Sequence, residues 1–247
     1  MTNASPATTS PATIATLIGS PGCGSAVIEM ALALTGLPHV VEDLPYLEPG
    51  AGRDRLLALN PTGKVPVLLL PPVVTGGAPV VMTESAAMIL HLADMAGPAG
   101  ARLAPEPSSS HRPAFLRWLL FLVAEIYPNI TIAEHADHLA VPADTIAAFQ
   151  AAMAARRDDL WRMMAAEAGS PWFLGERFSA IDLYLAVMSG WAGGRARFAA
   201  TVPELGRIAD AARGVPQVAA VLARHGDPDE VPDDAGATQG TTSGETA

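Results

Sequence analysis

The chain has almost no cysteine. Cys23 is the single thiol among 247 residues, which excludes an intrachain disulfide and a cysteine-based zinc cage and makes a reducing, cytoplasmic compartment the expected one. Basic residues are scarce too: 15 against 25 acids give a formal net charge of −10. Six of those acids (Asp227, Asp229, Glu230, Asp233, Asp234 and Glu245) fall in a C-terminal stretch without Lys or Arg, which leaves a weakly charged body. Such a body argues against nucleic acid as a partner. No uninterrupted apolar run approaches the ~18 residues of a membrane span. Met1 to Pro11 lacks the basic start and the apolar core of a secretory signal, and no internal repeat is present.

Half of the residues are apolar, enough for a sizeable core. Thr13 to Ile18 reads as a strand and Ser25 to Thr35 as a helix, with Val27, Met30, Ala31 and Leu34 on one face. Gly36-Leu37-Pro38 stops that helix, and His39 to Leu44 reads as a second strand. This is a βαβ unit, whose crossover is right-handed. A short helix is expected over Arg53 to Ala58. Val65 to Leu70 and Pro79 to Met82 read as an antiparallel pair around Thr75-Gly76-Gly77, followed by a helix over Ala86 to Met95. Beyond a linker rich in Gly, Pro and Ser only helices are expected, at about 111–126, 143–167, 180–191, 203–212 and 216–224.

The strongest local motif is Asn60-Pro61-Thr62-Gly63-Lys64-Val65-Pro66-Val67-Leu68. Proline has no backbone N–H and is normally kept out of central strands. Pro66 inside an apolar strand therefore predicts a cis Val65–Pro66 bond at a binding edge. The Val65 N–H and C=O would then be open to an extended, peptide-like ligand. Glu84-Ser85 opens the next helix, where free N–H groups and the positive dipole end favour an anion. Together these features suit a small anionic peptide. Ser179 and Asp182 form an expected capping box, with Phe178 and Leu183 as its hydrophobic staple. Glu134-His135-Ala136-Asp137-His138 has metal-like spacing but no third ligand nearby, so no metal site is expected.

Taken with Ser20-Pro21-Gly22-Cys23-Gly24-Ser25 after the first strand and Phe178 to Leu183 in the second half, these motifs resemble the cytosolic glutathione transferase superfamily, in its bacterial Ser/Cys-type branches. The resemblance covers roughly residues 13 to 225. It implies an α/β thioredoxin-like N-terminal domain followed by an all-α domain. The expected divisions are a disordered tail at 1–12, a glutathione-binding domain at 13–97, a linker at 98–110, a helical domain at 111–226 and a disordered acidic tail at 227–247.

The resemblance also implies roles for particular residues. Val65, beside Pro66, would hold the cysteinyl part of glutathione. Glu84 would hold the γ-glutamyl ammonium, Ser85 its carboxylate, and Lys64 is the candidate for the glycyl carboxylate. The thiolate needs a hydroxyl or thiol donor near the first strand. Tyr46, Tyr127 and Tyr184 are remote from it in sequence, so Cys23, Ser25 and Ser20 are the candidates. Tyr127 is a candidate for the wall of an electrophile pocket. The expected activity is conjugation of glutathione, as co-substrate and with no other cofactor, to an apolar electrophile by a homodimer. A monothiol reductase or lyase using Cys23 and a non-catalytic interaction protein are the alternatives.

Overall fold

The computed structural model describes residues 15–72, 74 and 76–226; the two expected tails, 1–12 and 227–247, lie outside these residues. Its first half runs β1 (Ala15–Gly19), α1 (Ser25–Thr35), β2 (His39–Asp43), α2 (Ala51–Leu59), β3 (Val67–Leu70), β4 (Val80–Met82) and α3 (Ser85–Met95). The sheet order is β2-β1-β3-β4. β1 and β2 are parallel, and β1–β3 and β3–β4 are antiparallel. This is the thioredoxin-like arrangement.

The period-2 alternation of β1 divides the apolar residues between two faces. Leu17 enters the large core with α1 and α3, whereas Ile18 packs with Leu44, Leu56 and Val67 beneath α2. The expected strand Val65 to Leu70 is shorter than its apolar run. Its ladder opens only where Val67 faces Ile18, because Pro66 has no N–H to contribute. Pro66 thus precedes the strand, and the Val65–Pro66 bond is cis.

α1 is buried nearly all round. Ser25 to Leu32 and Leu34 are all buried, so a single apolar stripe understates its packing. It touches β1 on the sheet side and α3, α7 and α10 elsewhere. The stretch read as a linker is part of this packing. Leu103 is fully buried, and its C=O accepts the Ala180 N–H at 2.8 Å.

The second half is helical: α4 (Arg112–Phe121), a π turn (Leu122–Ile126), α5 (Tyr127–Glu134), α6 (Ile146–Ala165), α7 (Ala180–Met188), α8 (Gly194–Thr201), α9 (Pro203–Arg213) and α10 (Pro216–His225). α8 was not expected, since Gly193-Gly194 at its start reads as a break. The π turn has a local cause. Pro128 offers no N–H to the turn behind it, and the Tyr127 N–H bonds to Leu122 C=O, five residues back. From Arg112 to Glu134 the rod is long and apolar enough, by length and composition alone, to cross a membrane. Arg117, Glu125 and Asn129 interrupt its apolar runs, which is why counting runs missed it. Here Phe115, Trp118, Leu119, Leu122, Ile126 and Ile130 are buried in the core.

The capping box at α7 is present, with both of its reciprocal bonds. Asp182 is fully buried; it accepts the Ser179 N–H at 2.7 Å and the Phe173 N–H at 2.9 Å. Asp182→Ala strands both donors in the core, at about 1–3 kcal/mol each. Thermal unfolding should shift down by roughly 10 °C, and Asp182→Asn by less, as followed by circular dichroism.

Candidate functional site

The register gathers the expected site residues at one end of the sheet. β1 and β2 run parallel and finish together, Gly19 beside Asp43. β3 starts at that end, with Val67 opposite Ile18, and β4 finishes there, with Met82 opposite Leu68. Hence the Ser20–Gly24 loop, the segment after β2, Lys64-Val65-Pro66 and Thr83-Glu84-Ser85 all emerge on one side. Carboxyl ends of parallel strands are a common place for ligands in open α/β sheets.

The thiol loop is closed by its own serines. Ser25 Oγ donates to Ser20 C=O at 3.1 Å and accepts the Ser20 N–H at 3.2 Å, and Ser25 is 2 % exposed. Gly19 makes this possible, because a Cβ there would meet Ser25 Oγ at 2.6 Å. The Ser25 hydroxyl is therefore spent on the loop. Ser20 is half-buried and supplies the backbone groups of this closure. Cys23 is half-buried just ahead of α1, with its N–H on Ser20 C=O at 3.3 Å.

Two tyrosines remote in sequence reach this loop. Tyr46, from the segment after β2, places its hydroxyl 3.4 Å from Cys23 Sγ. Tyr127, just past the π turn, lies against Gly24, where a Cβ would meet its hydroxyl at 2.6 Å. Tyr127 also meets Trp191 edge-on at 5.2 Å. Burial first, then the bond and charge of Cys23, push the Tyr46 phenol above its ordinary range. Burial, Cys23 and Glu134 push Tyr127 up to about 12, against the pull of a bond from the Gly24 backbone. Both phenols stay protonated at neutral pH, so toward a Cys23 thiolate Tyr46 is a donor.

At the start of α3 the Tyr184 hydroxyl donates to Ser85 Oγ at 2.6 Å. Tyr184 is 1 % exposed, so this bond ties α7 to the start of α3. It also leaves the Ser85 hydroxyl hydrogen to be given elsewhere. Glu84 is exposed and adopts φ 68°, ψ 100°. For a non-glycine residue this is a strained backbone, of order 1–3 kcal/mol, of the kind that collects at ligand sites. Val65 is half-buried and packs with Tyr46 on the same small core; Lys64 is exposed. No group of three or more potential metal ligands occurs among the described residues. A depression of about 310 Å³ lined by Ser189, Arg195, Phe198 and Gly206 contains none of these residues.

Tyr46 and Tyr184 were not expected beside the loop and the start of α3, because no local pattern brings them there. One residue beneath the loop carried a readable signal: Glu29 is a lone charge amid the apolar positions of α1. It is 7 % exposed and bonds to Arg224 and His225 at the end of α10.

A thioredoxin-like module packed on a helical half, with a thiol loop and a helix start at one end of the sheet, defines a fold class. Comparison with known proteins narrows it. Residues 25–95 match the glutathione S-transferase N-terminal domain family. The GST-like protein YncG of Escherichia coli is 31% identical over 209 residues, covering 84% of this chain and 96% of that protein. The chain belongs to the glutathione S-transferase superfamily. The Escherichia coli disulfide-bond oxidoreductase YfcG is 27% identical over 135 residues, 54% of this chain and 60% of that one. A sphingomonad glutathione S-transferase complexed with glutathione superposes with TM-score 0.66 at 30% identity, covering 85% of this chain and 98% of that one.

The buried acid under the loop makes acid stability testable. Burial raises the Glu29 carboxyl, but hydrogen bonds from His225 and Arg224 and the charge of Arg224 outweigh it and bring the group down to about 2. The folded value lies below the ordinary 4.5. Its stabilisation is therefore present above 4.5 and is lost as pH falls from there toward about 2. Urea unfolding of parent and Glu29→Gln should differ most near neutrality and converge across that window. A constant difference would show that Glu29 does not titrate there.

Proposed function

We propose that this chain binds glutathione at the end of its sheet and conjugates it, through its sulfur, to an apolar electrophile. The observation that carries the reading is the meeting of three elements at that end. They are the proline edge at Val65-Pro66 where β3 begins, a strained helix start at Glu84-Ser85 and a thiol loop faced by two protonated phenols. In this reading the Val65 backbone pairs with the cysteinyl unit. Glu84 takes the γ-glutamyl ammonium, Ser85 its carboxylate and Lys64 the glycyl carboxylate. Donors from the Cys23 loop hold the thiolate, whose sulfur bonds to the electrophilic carbon as the leaving group departs with the electron pair. Tyr127 and Trp191 supply an apolar wall. The reading includes a cytoplasmic homodimer; β4 is an edge strand with Val80 and Val81 exposed, which supports association through that half.

A second reading is favoured by the contact between Cys23 and Tyr46. A Cys23 thiolate can attack a glutathione mixed disulfide, forming its own disulfide with glutathione and releasing the partner thiolate; a second glutathione then regenerates Cys23 as glutathione disulfide leaves. The likeness to YfcG supports this reading for its part of the chain.

Both readings require glutathione to bind. Glu84→Ala should weaken binding by roughly ten- to a hundredfold in calorimetric titration, through loss of a charge-assisted bond. Glu84→Gly should weaken it similarly without lowering the melting temperature, because glycine relieves the positive φ. Unchanged affinity in both variants would end the assignment. Ser85→Ala is a poorer probe, since it also strands the Tyr184 hydroxyl. To separate the two reactions, Cys23→Ser should keep conjugation to a nitro-activated aryl chloride and lose disulfide exchange. Tyr46→Phe should slow alkylation of Cys23 by iodoacetamide at neutral pH by roughly fivefold. Fast exchange by Cys23→Ser would exclude the cysteine route.

A further inference from the structure

Residues from opposite ends of the chain meet behind the thiol loop. The Gly22 N–H donates to His225 Nδ1 at 3.2 Å, and His225 Nε2 lies 2.9 Å from Glu29 Oε2. Arg224 holds both oxygens of that carboxylate, Nε to Oε1 at 2.8 Å and Nη2 to Oε2. Its third nitrogen, Nη1, reaches Asp43 Oδ2 at 2.6 Å, at the end of β2. The imidazole side chain is 2 % exposed. Glu29 from α1, Asp43 from β2 and Arg224 from α10 are thus the charged groups of the cluster.

These bonds fix the ring's protonation. A ring nitrogen that accepts an amide hydrogen carries none itself, so Nδ1 is bare and the neutral ring bears its hydrogen on Nε2. That hydrogen goes to Glu29. Arg224 Nη2 lies 3.1 Å from Nε2, but both nitrogens are donors and share Oε2 as acceptor. The arrangement is a chain: carboxylate, imidazole, backbone amide. Its last link is one residue before Cys23, on an exposed glycine with φ 75°, where backbone freedom is greatest.

We propose that His225 is a positioning residue for the thiol loop: anchored by Glu29 and Arg224, its Nδ1 holds the Gly22 amide and so fixes where Cys23 sits relative to Tyr46 and the start of α1. The end of α10 thereby sets geometry at a site built mainly by the first half of the chain. The inference rests on the reading of the Cys23 loop as the thiol site. Small displacements of a reacting group cost much rate, and an untethered glycine loop is where they would arise.

The test begins with the full-length parent. Long-range nitrogen–proton NMR of the His225 ring should show hydrogen on Nε2 and a bare Nδ1. Two variants follow. His225→Phe keeps the ring shape without the acceptor. His225→Asn places an amide oxygen about where Nδ1 stands. In His225→Phe the Gly22 amide should exchange with solvent roughly fivefold faster, reflecting one lost hydrogen bond. kcat for conjugation of the aryl chloride should fall by a similar factor, with KM for glutathione little changed. His225→Asn should return both to within about twofold of the parent, because the acceptor is restored. A ring protonated on Nδ1, equal Gly22 exchange in parent and His225→Phe, or His225→Asn no better than His225→Phe would each overturn the proposal. If the parent neither binds nor turns over glutathione, the functional reading falls, while ring tautomer and Gly22 exchange still decide whether His225 holds the loop. If His225→Phe does not fold, the parent tautomer and the His225→Asn exchange rate decide.

Discussion

The burial of α1 on nearly every side is the constraint on which the rest depends. Its apolar residues pack on β1 and against α3, α7 and α10, so it cannot shift or rotate without opening core contacts on several faces at once. The thiol loop is its N-terminal lead-in, and the direction in which Cys23 points follows from where the helix is pinned. Such a helix tolerates a charge only if that charge is matched, since an unpaired buried carboxylate is prohibitively costly. Glu29 is matched by Arg224 and His225 from the far end of the chain. This ion cluster and the Tyr184–Ser85 bond are polar contacts that join the two halves within their shared apolar core.

The same constraint explains the source of the hydroxyl groups. Folding α1 tightly onto the sheet buries Ser25 and commits its hydroxyl to loop closure. Tyr46 and Tyr127 bring hydroxyls to the loop from elements that end near it without belonging to it. Tyr46 arrives because β2 runs parallel to β1 and finishes beside it. Tyr127 arrives because the π turn forced by Pro128 ends at its own backbone N–H and re-aims the rod there. Gly24 completes the fit by lacking the Cβ that would strike the Tyr127 hydroxyl.

What the sequence revealed was mostly short-range. The βαβ–ββα order, the capping box at Ser179 and Asp182 and the helix start at Ser85 all rest on periodicity or on groups within four residues of one another, and they stand in the structure. The errors were also local. Gly193-Gly194 hid α8, and an apolar run around Pro66 was read as strand two residues too early. The site was only partly legible because its decisive contacts span distances no local pattern encodes. Cys23 to Tyr46, Gly24 to Tyr127, Ser85 to Tyr184 and Gly22 to His225 are set by sheet register and helix packing. Distance along the chain argued against the tyrosines, yet the fold cancels that distance. Glu29 was the exception: a single acid between Ile28 and Met30 demands a buried partner, although not which one.

The charges around the thiol follow from these contacts. A second negative group near a thiolate ordinarily opposes it, and Glu29 lies only one turn into α1. Its carboxylate is neutralised where it stands, with Arg224 on both oxygens and a neutral imidazole between it and the loop. The ring passes on no charge, only an acceptor for the Gly22 amide. Both nearby phenols are held protonated by burial and by the sulfur itself, so neither adds negative charge. What faces the sulfur at this loop is the start of α1 and the Tyr46 hydroxyl, 3.4 Å from Cys23 Sγ. The fold thus carries an acid inside the helix behind its thiol by pairing it there with a cation and an imidazole from α10.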